Sequence, residues 1–135
     1  MNNTAIYHSK LCYLFQIAFN VLCTIYCITL VNQPPVFKST PRSRDILEGM
    51  DLQVVCEAWG KPMPTVSWYK DGKVVKPDRK TRLNNEENRE DLTCTSTISA
   101  KGVDVKRHDG KYLVEAQNVA GKVQHEFLLN GMMVL

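Results

Sequence analysis

From residue 51 onward, hydrophobic and polar residues alternate in short runs that are separated by turn sequences. The first run places four residues on one face of a predicted strand: Leu52, Val54, Cys56 and Ala58. A period of two is typical of a β-strand with one buried face. Val66 and Trp68 share one face of a second predicted strand, which ends at the turn sequence KDGK, residues 70–73.

The same pattern continues toward the C-terminus. One face of the next predicted strand carries Leu92, Cys94, Ser96, Ile98 and Ala100. A later strand places Tyr112, Val114 and Ala116 on one face, and the sequence NVAG, residues 118–121, predicts a hairpin turn before a final strand. About seven short strands with frequent turns and no helical period predict an all-β fold, an antiparallel sandwich.

Two segments interrupt the alternation and are predicted to be exposed loops. Gly60–Pro64 ends the first strand, and Lys76–Asp91 is polar and of mixed charge with no apolar period, which allows at most a short edge strand. Because binding residues concentrate on loops, both segments are candidate interaction surfaces.

The N-terminal part has a different character. Leu11 to Val31 is an uncharged run of 21 residues, and about 20 apolar residues suffice for a helix to cross a bilayer. Three interpretations stay open. The segment is a cleaved signal peptide, a retained anchor that associates with a membrane, or a mistranslated or spliced edge of a larger gene that does not belong to the authentic protein. The chain is therefore divided into a short flank (1–10), a hydrophobic, helix-like signal or anchor segment (11–31), the β domain (32–130) and a tail (131–135).

Charge excludes one class of partner. The chain has 17 Lys and Arg against 14 Asp and Glu, with no block of like charge. A nucleic-acid-binding domain carries a clustered positive surface, so no nucleic-acid partner is expected.

Catalytic motifs are missing from the sequence. The three histidines, His8, His108 and His125, have no metal-ligand spacing with the cysteines. There is no nucleophile elbow, no phosphate-binding glycine loop and no H-E-x-x-H. The sequence predicts neither an enzyme nor a cofactor, a metal or a small-molecule substrate.

Four segments resemble, in order, parts of an immunoglobulin domain of the intermediate set, as found in titin, twitchin and obscurin-like muscle proteins and in many adhesion receptors. They are PPVF, DILEG, CEAWGKPMPTVSWYKDGK and DGKYLVEAQNVAG, within Pro34 to Leu129. The resemblance implies an immunoglobulin-like β-sandwich whose structural core includes Cys56, Trp68, Tyr112 and Val114. Tyr112 would bond to the backbone near His108 or Asp109.

Val114 stands where the family usually has the second cysteine of a bridge to Cys56. Without that partner no disulfide is expected, and a reducing compartment is favoured. A Cys56–Cys94 bridge is the alternative, but cross-strand neighbours rarely meet disulfide geometry. Two buried free thiols are the simpler interpretation.

The resemblance implies a non-catalytic module for protein–protein interaction, a scaffold as in giant muscle cytoskeletal proteins. The alternative is a cell-surface or secreted adhesion module carried by the 11–31 segment. Lys38, Arg42 and Arg44 follow that segment and Lys10 precedes it, so the positive-inside rule leans toward a cytoplasmic domain.

Overall fold

The computed structural model describes residues 13–23 and 32–132. Helix α1 covers residues 13–23 and α2 covers Val105–His108. The described strands are β1 (Gln33–Ser39), β2 (Arg44–Leu47), β3 (Leu52–Lys61), β4 (Thr65–Lys70), β5 (Lys73–Val74), β6 (Thr81–Asn88), β7 (Thr93–Ala100), β8 (Gly110–Asn118) and β9 (Gly121–Met132). Helix α1 and the strands belong to two separate compact units, which divide after Asn32.

The strands form two sheets packed against each other. One sheet has four strands in the order β1-β3-β7-β6, and the other has five in the order β2-β9-β8-β4-β5. Neighbouring strands are antiparallel except β2 and β9, which run parallel. The predicted all-β sandwich is confirmed.

Within the predicted loop Lys76–Asp91, the edge strand that the sequence allowed is present and is longer than expected. Thr81–Asn88 forms β6, which pairs with β7 along its whole length as an edge of the four-stranded sheet. An edge strand whose two faces are both largely exposed has no apolar alternation to reveal it. At two other boundaries, β3 extends to Lys61, into the predicted Gly60–Pro64 loop, and β9 extends to Met132, into the predicted tail.

The predicted hydrophobic segment, residues 11–31, lies partly outside the described residues. Within residues 13–23 and 32–132, no helix combines the length and the apolar character needed to cross a membrane.

Turn residues join β4 to β5 as the sequence predicts. β4 ends at Lys70 and β5 begins at Lys73, and the two residues between them, Asp71 and Gly72, have φ values of 49° and 82°. A two-residue hairpin loop with both residues left-handed favours Asp-Gly, since glycine adopts this conformation without steric cost.

A hydrogen-bond chain crosses the core between the sheets. The indole Nε1 of Trp68, on β4, donates to Ser96 Oγ on β7 at 2.7 Å, and Ser96 Oγ donates to Asn85 Oδ1 on β6 at 2.5 Å. Phe127 packs edge-on against Trp68, with ring centroids 6.1 Å apart. Ser96 is fully buried. The two hydrogen bonds satisfy its hydroxyl group, and a buried hydroxyl group without partners would destabilise the core.

A second buried network fixes the turn that leads into β8. The Tyr112 hydroxyl donates to the His108 carbonyl at 2.6 Å, and burial raises the pKa of Tyr112 above its ordinary range. The His108 ring, at the end of α2, contacts the Thr81 hydroxyl through Nε2 at 3.0 Å and the Asp104 backbone through Nδ1. The turn is thereby tied both to β8 and to the start of β6.

We expect Val114→Ala to lower the free energy of unfolding by about 2 kcal/mol, because it removes methyl groups from a residue that is 0% exposed. Urea unfolding of the domain measures the change. The matched control is Val119→Ala in the β8–β9 hairpin, where the side chain is 81% exposed and little change is expected. Equal effects of the two substitutions would show that Val114 is not a core residue.

We also expect the domain to lose stability as the pH falls from about 7.5 through about 6.5. Burial lowers the folded-state pKa of His108, with a further contribution from Arg107 and an opposing one from Asp104. The unfolded chain therefore binds a proton at a pH where the folded chain does not, which favours unfolding. The decline ends once the pH passes below the folded-state pKa.

Urea midpoints measured across this range test the assignment. His108→Gln removes the titrating group while keeping a polar side chain near Thr81. The variant should have a flatter pH dependence than the wild type, whatever its absolute stability, and an unchanged slope would contradict the role given to His108.

Candidate functional site

The two buried cysteines lie on neighbouring strands but not directly opposite each other. Cys56 on β3 faces Ser96 on β7, and Cys94 on β7 faces Ala58 on β3. Both thiols are free. Burial raises the pKa of Cys56 to about 12 and raises that of Cys94 as well. Because the thiolate is the reactive form, two neutral, enclosed thiols are poor nucleophiles.

Val114 lies in the five-stranded sheet, which packs against the four-stranded sheet that holds the two cysteines. It lies on β8 opposite Trp68 on β4, and β3 contacts β8 across the sandwich. Cys56 and Val114 are both fully buried, while Trp68 and Tyr112 are almost so. The four residues that the sequence assigns to the core therefore lie in the interior of the sandwich, where they pack and offer no surface to a ligand.

The described residues offer no metal-ligand set. Nowhere in residues 13–23 and 32–132 do three His, Cys, Asp or Glu side chains group as metal ligands. Ser96, the fully buried hydroxyl, is already engaged by Trp68 and Asn85.

The outer face of the five-stranded sheet carries an apolar row, defined here as Val74, Tyr69, Leu113 and Leu128. Val74 pairs with Tyr69, and Tyr69 pairs with Leu113 across β5, β4 and β8. Leu128 on β9 lies opposite Lys111, which is two residues before Leu113 on β8. Val74 is 58% exposed and Leu128 is 45% exposed, whereas Tyr69 and Leu113 are half-buried.

Charged side chains border the apolar row. Glu126 lies opposite Leu113, Lys111 lies opposite Leu128, and the two charges pair at 3.1 Å. Lys70 and Asp71 form a second pair at 3.2 Å, beyond the Tyr69 end of β4. An apolar centre with a charged rim is the usual composition of a protein-binding patch.

The predicted Gly60–Pro64 surface is held in place by Asn118 of the β8–β9 hairpin. Asn118 Nδ2 donates to the carbonyl of Gln33 at 2.7 Å and to that of Pro62 at 2.9 Å. A Cβ atom at Gly60 would lie 2.9 Å from the same nitrogen and 3.3 Å from the Pro62 carbonyl oxygen, so glycine leaves room for this close packing. The segment is thus a braced loop rather than a free one.

Sequence reasoning missed Ser96 as a polar core residue, Asn118 as a brace, and the apolar row. Ser96 falls on the buried face of the alternation, which could have suggested a partner for Trp68. The apolar row has no such signal, because its members come from four strands and meet only through their register.

Comparison with known proteins places these features in a family. The model of the immunoglobulin I-set domain matches residues 35–130. Peroxidasin homolog pxn-1 of Caenorhabditis elegans is 33% identical over 99 residues, covering 73% of this chain and 7% of that protein. The netrin receptor DCC of Homo sapiens is 36% identical over 91 residues, covering 67% of this chain and 6% of the receptor.

The solved structure of titin M4 has the same fold, with a TM-score of 0.64 and 18% identity over 75% of this chain and 98% of that one. The chain spans less than a tenth of the length of the two curated relatives above. The sandwich with its parallel β2–β9 pair, the Tyr112 hydrogen bond and the family match over residues 35–130 together establish that the chain belongs to the immunoglobulin I-set domain family.

Proposed function

We propose that this domain is a non-catalytic protein-interaction module that binds its partner through the apolar row of the five-stranded sheet. The observation that carries the proposal is the continuous placement of Val74, Tyr69 and Leu113 across three strands, on a face that the sandwich core does not use. Exposed apolar surface of this kind is costly in water and is commonly retained for binding.

The composition of the row supports a specific interface. Tyrosine is enriched among the residues that dominate binding energy, because it buries a large area at a low cost in conformational entropy. Leu113 lies between Tyr69 and the exposed Glu126, at the centre of the patch. The Lys111–Glu126 pair would then form part of the polar rim that excludes water around the contact.

We propose a scaffolding role, of the kind played by the immunoglobulin modules of giant muscle cytoskeletal proteins, as the use of this interaction. The free Cys56 and the aliphatic residue at position 114 support it, since a domain whose core has no disulfide is suited to a reducing compartment. The partner would be another cytoskeletal protein.

A second candidate is a recognition module of a cell-surface or secreted protein. It is favoured by the 36% identity to the netrin receptor DCC, whose name identifies it as a receptor. The two candidates share the interaction surface and differ in compartment.

We expect Leu113→Asp to weaken partner binding by placing a charge at the centre of the row. The test introduces a photo-crosslinking residue at Val74, captures a partner in cells, identifies it, and measures its affinity for the purified domain. Leu113→Asp should weaken that affinity by tenfold or more, about 1.4 kcal/mol.

The control is Val55→Asp, which alters a residue of similar character, 39% exposed on the outer face of the four-stranded sheet. It should leave the affinity unchanged, and circular dichroism should show that both variants fold. If Val55→Asp lowers the affinity and Leu113→Asp does not, the binding surface lies on the four-stranded sheet and the proposal is wrong.

Alkylation of the cysteines distinguishes the two candidate functions, which differ in the compartment of the domain. In protein isolated from its native source, the scaffold candidate predicts that Cys56 and Cys94 resist alkylation in the folded state, because both are buried, and react fully in denaturant without reductant. Peptide mass mapping identifies the two sites. If either thiol reacts only after reduction, it is held in a disulfide and the receptor candidate replaces the scaffold.

A further inference from the structure

Two segments distant in the sequence carry most of the positive charge of the domain. Residues 70–82 contain six basic and two acidic side chains, and residues 101–111 contain four basic and two acidic ones. These 24 residues have a formal net charge of +6, whereas the whole chain has +3. Neither segment stands out as a basic block, because its charges are interspersed with turn and core residues.

The fold brings these segments together at one end of the sandwich, which we call the basic end. Arg107 forms an ion pair with Asp78, and Lys80 lies 3.8 Å from Asp104. The buried contact between His108 and Thr81 holds the same two segments side by side. The charged side chains of both segments therefore lie on one surface.

Two open grooves flank the ridge formed by residues 76–80. The first has a volume of about 450 Å³, and its charged lining is Lys70, Lys73, Lys76 and Arg107 together with the carboxylates of Asp71 and Asp78. The second has a volume of about 550 Å³, and its charged lining is Arg79, Lys80, Arg82 and Lys101 with one carboxylate, Asp51, which accepts a hydrogen bond from the Gly102 backbone. Both grooves are shallow and open to solvent.

Much of the positive charge is not neutralised locally. The carboxylates of Asp71, Asp78 and Asp104 are engaged with Lys70, Arg107 and Lys80. In the described part of the chain, no ion pair involves the following exposed cations of the two segments: Lys73, Lys76, Arg79, Arg82, Lys101 and Lys106. Unpaired cations that face one another across a groove repel and are stabilised by an added anion.

The opposite end of β6 has the opposite sign. Residues 86–91 contain four acidic side chains and one basic one, and β6 runs from the basic Arg79–Arg82 region at its start to this acidic turn. A field of this kind directs an anionic ligand to the basic end.

We propose that the basic end binds a linear sulfated polysaccharide, whose chain lies in one groove and crosses the 76–80 ridge into the other. The arginine and lysine side chains that line the grooves would contact sulfate groups, and release of the counterions would supply much of the affinity. This site requires cations and not the apolar row, although Val74 of that row also lines the first groove. Because sulfated polysaccharides are found outside the cell, the inference rests on the second candidate function, the cell-surface or secreted recognition module.

The lining of the grooves favours a polysaccharide over other anions. The second groove contains no aromatic side chain, and the aromatic residue of the first, Tyr112, is buried, so stacking of nucleic-acid bases has no platform. The second groove has no large exposed apolar anchor for an acidic protein segment. A flat membrane surface would contact one side of the ridge, whereas a flexible chain contacts both.

The test measures binding of the purified domain to immobilised heparin, as a sulfated probe, over a range of salt concentrations. The variant carries Arg79→Gln, Arg82→Gln and Lys101→Gln. At about 0.1 M salt its affinity should fall tenfold or more, and its salt dependence should become shallower by about one unit for each contacting cation removed. The three side chains are exposed, and urea unfolding verifies that the variant retains its fold.

A charge-matched control carries Lys38→Gln, Lys61→Gln and Lys122→Gln, at positions that line neither groove. It should bind heparin within about twofold of the wild type, a difference below about 0.4 kcal/mol. Equal losses in the two triple variants would show binding by net charge alone and would overturn the site.

Competing anions test the chemistry of the ligand. Desulfated heparin, single-stranded polyuridylate, polyglutamate and vesicles containing phosphatidylserine should each compete at least tenfold less well than heparin. If any of them competes as well as heparin, the assignment to a sulfated polysaccharide is wrong, even where the Arg79, Arg82 and Lys101 substitutions still reduce binding.

Discussion

The hydrogen bond from the Tyr112 hydroxyl to the His108 carbonyl fixes the turn by which the chain passes from the four-stranded to the five-stranded sheet. Its position determines what the His108 ring can reach. Because the carbonyl of His108 is held by β8, its imidazole is directed to Thr81 at the start of β6. This contact and the Arg107–Asp78 and Lys80–Asp104 pairs together hold the edge strand, the 76–80 ridge and α2 side by side, and so form the basic end.

Cohesion between the sheets depends on packing and directional hydrogen bonds instead of a covalent link. A disulfide in a small domain typically contributes about 2–4 kcal/mol. Here Val114 and Cys56 fill the interior from facing sheets, and the Trp68 indole crosses it to Ser96. Among the described residues, every buried side-chain nitrogen and oxygen has a hydrogen-bond partner, so the core carries no desolvation penalty from unpaired polar groups. A sandwich of this size can therefore retain its structure with free thiols.

The sequence allowed the inward-facing strands to be predicted with good accuracy, because burial imposes a period of two on β3, β7 and β8. The five buried residues of β3, which alternate from Leu52 to Gly60, and the buried Cys94, Ser96 and Ile98 of β7 follow that rule. β6 could not be predicted in the same way, since hydrogen bonding to β7 needs no apolar side chain and most residues of β6 face water. The basic end was equally hidden, because it depends on contacts between residues more than twenty positions apart, such as that between Asp78 and Arg107.

This difference has a physical origin that also bears on function. Inward-facing positions are constrained by the volume and the dryness of the core, so their residue types are readable from a single chain. Outward-facing positions such as Tyr69, Leu113 and Arg82 are free of that constraint, and the fold tolerates almost any residue there. An apolar side chain at Leu113 or an unpaired cation at Arg82 contributes little to the core. The two proposed binding surfaces are therefore found where the strand pattern is least informative, and they become visible only when the fold brings residues from several segments onto one surface.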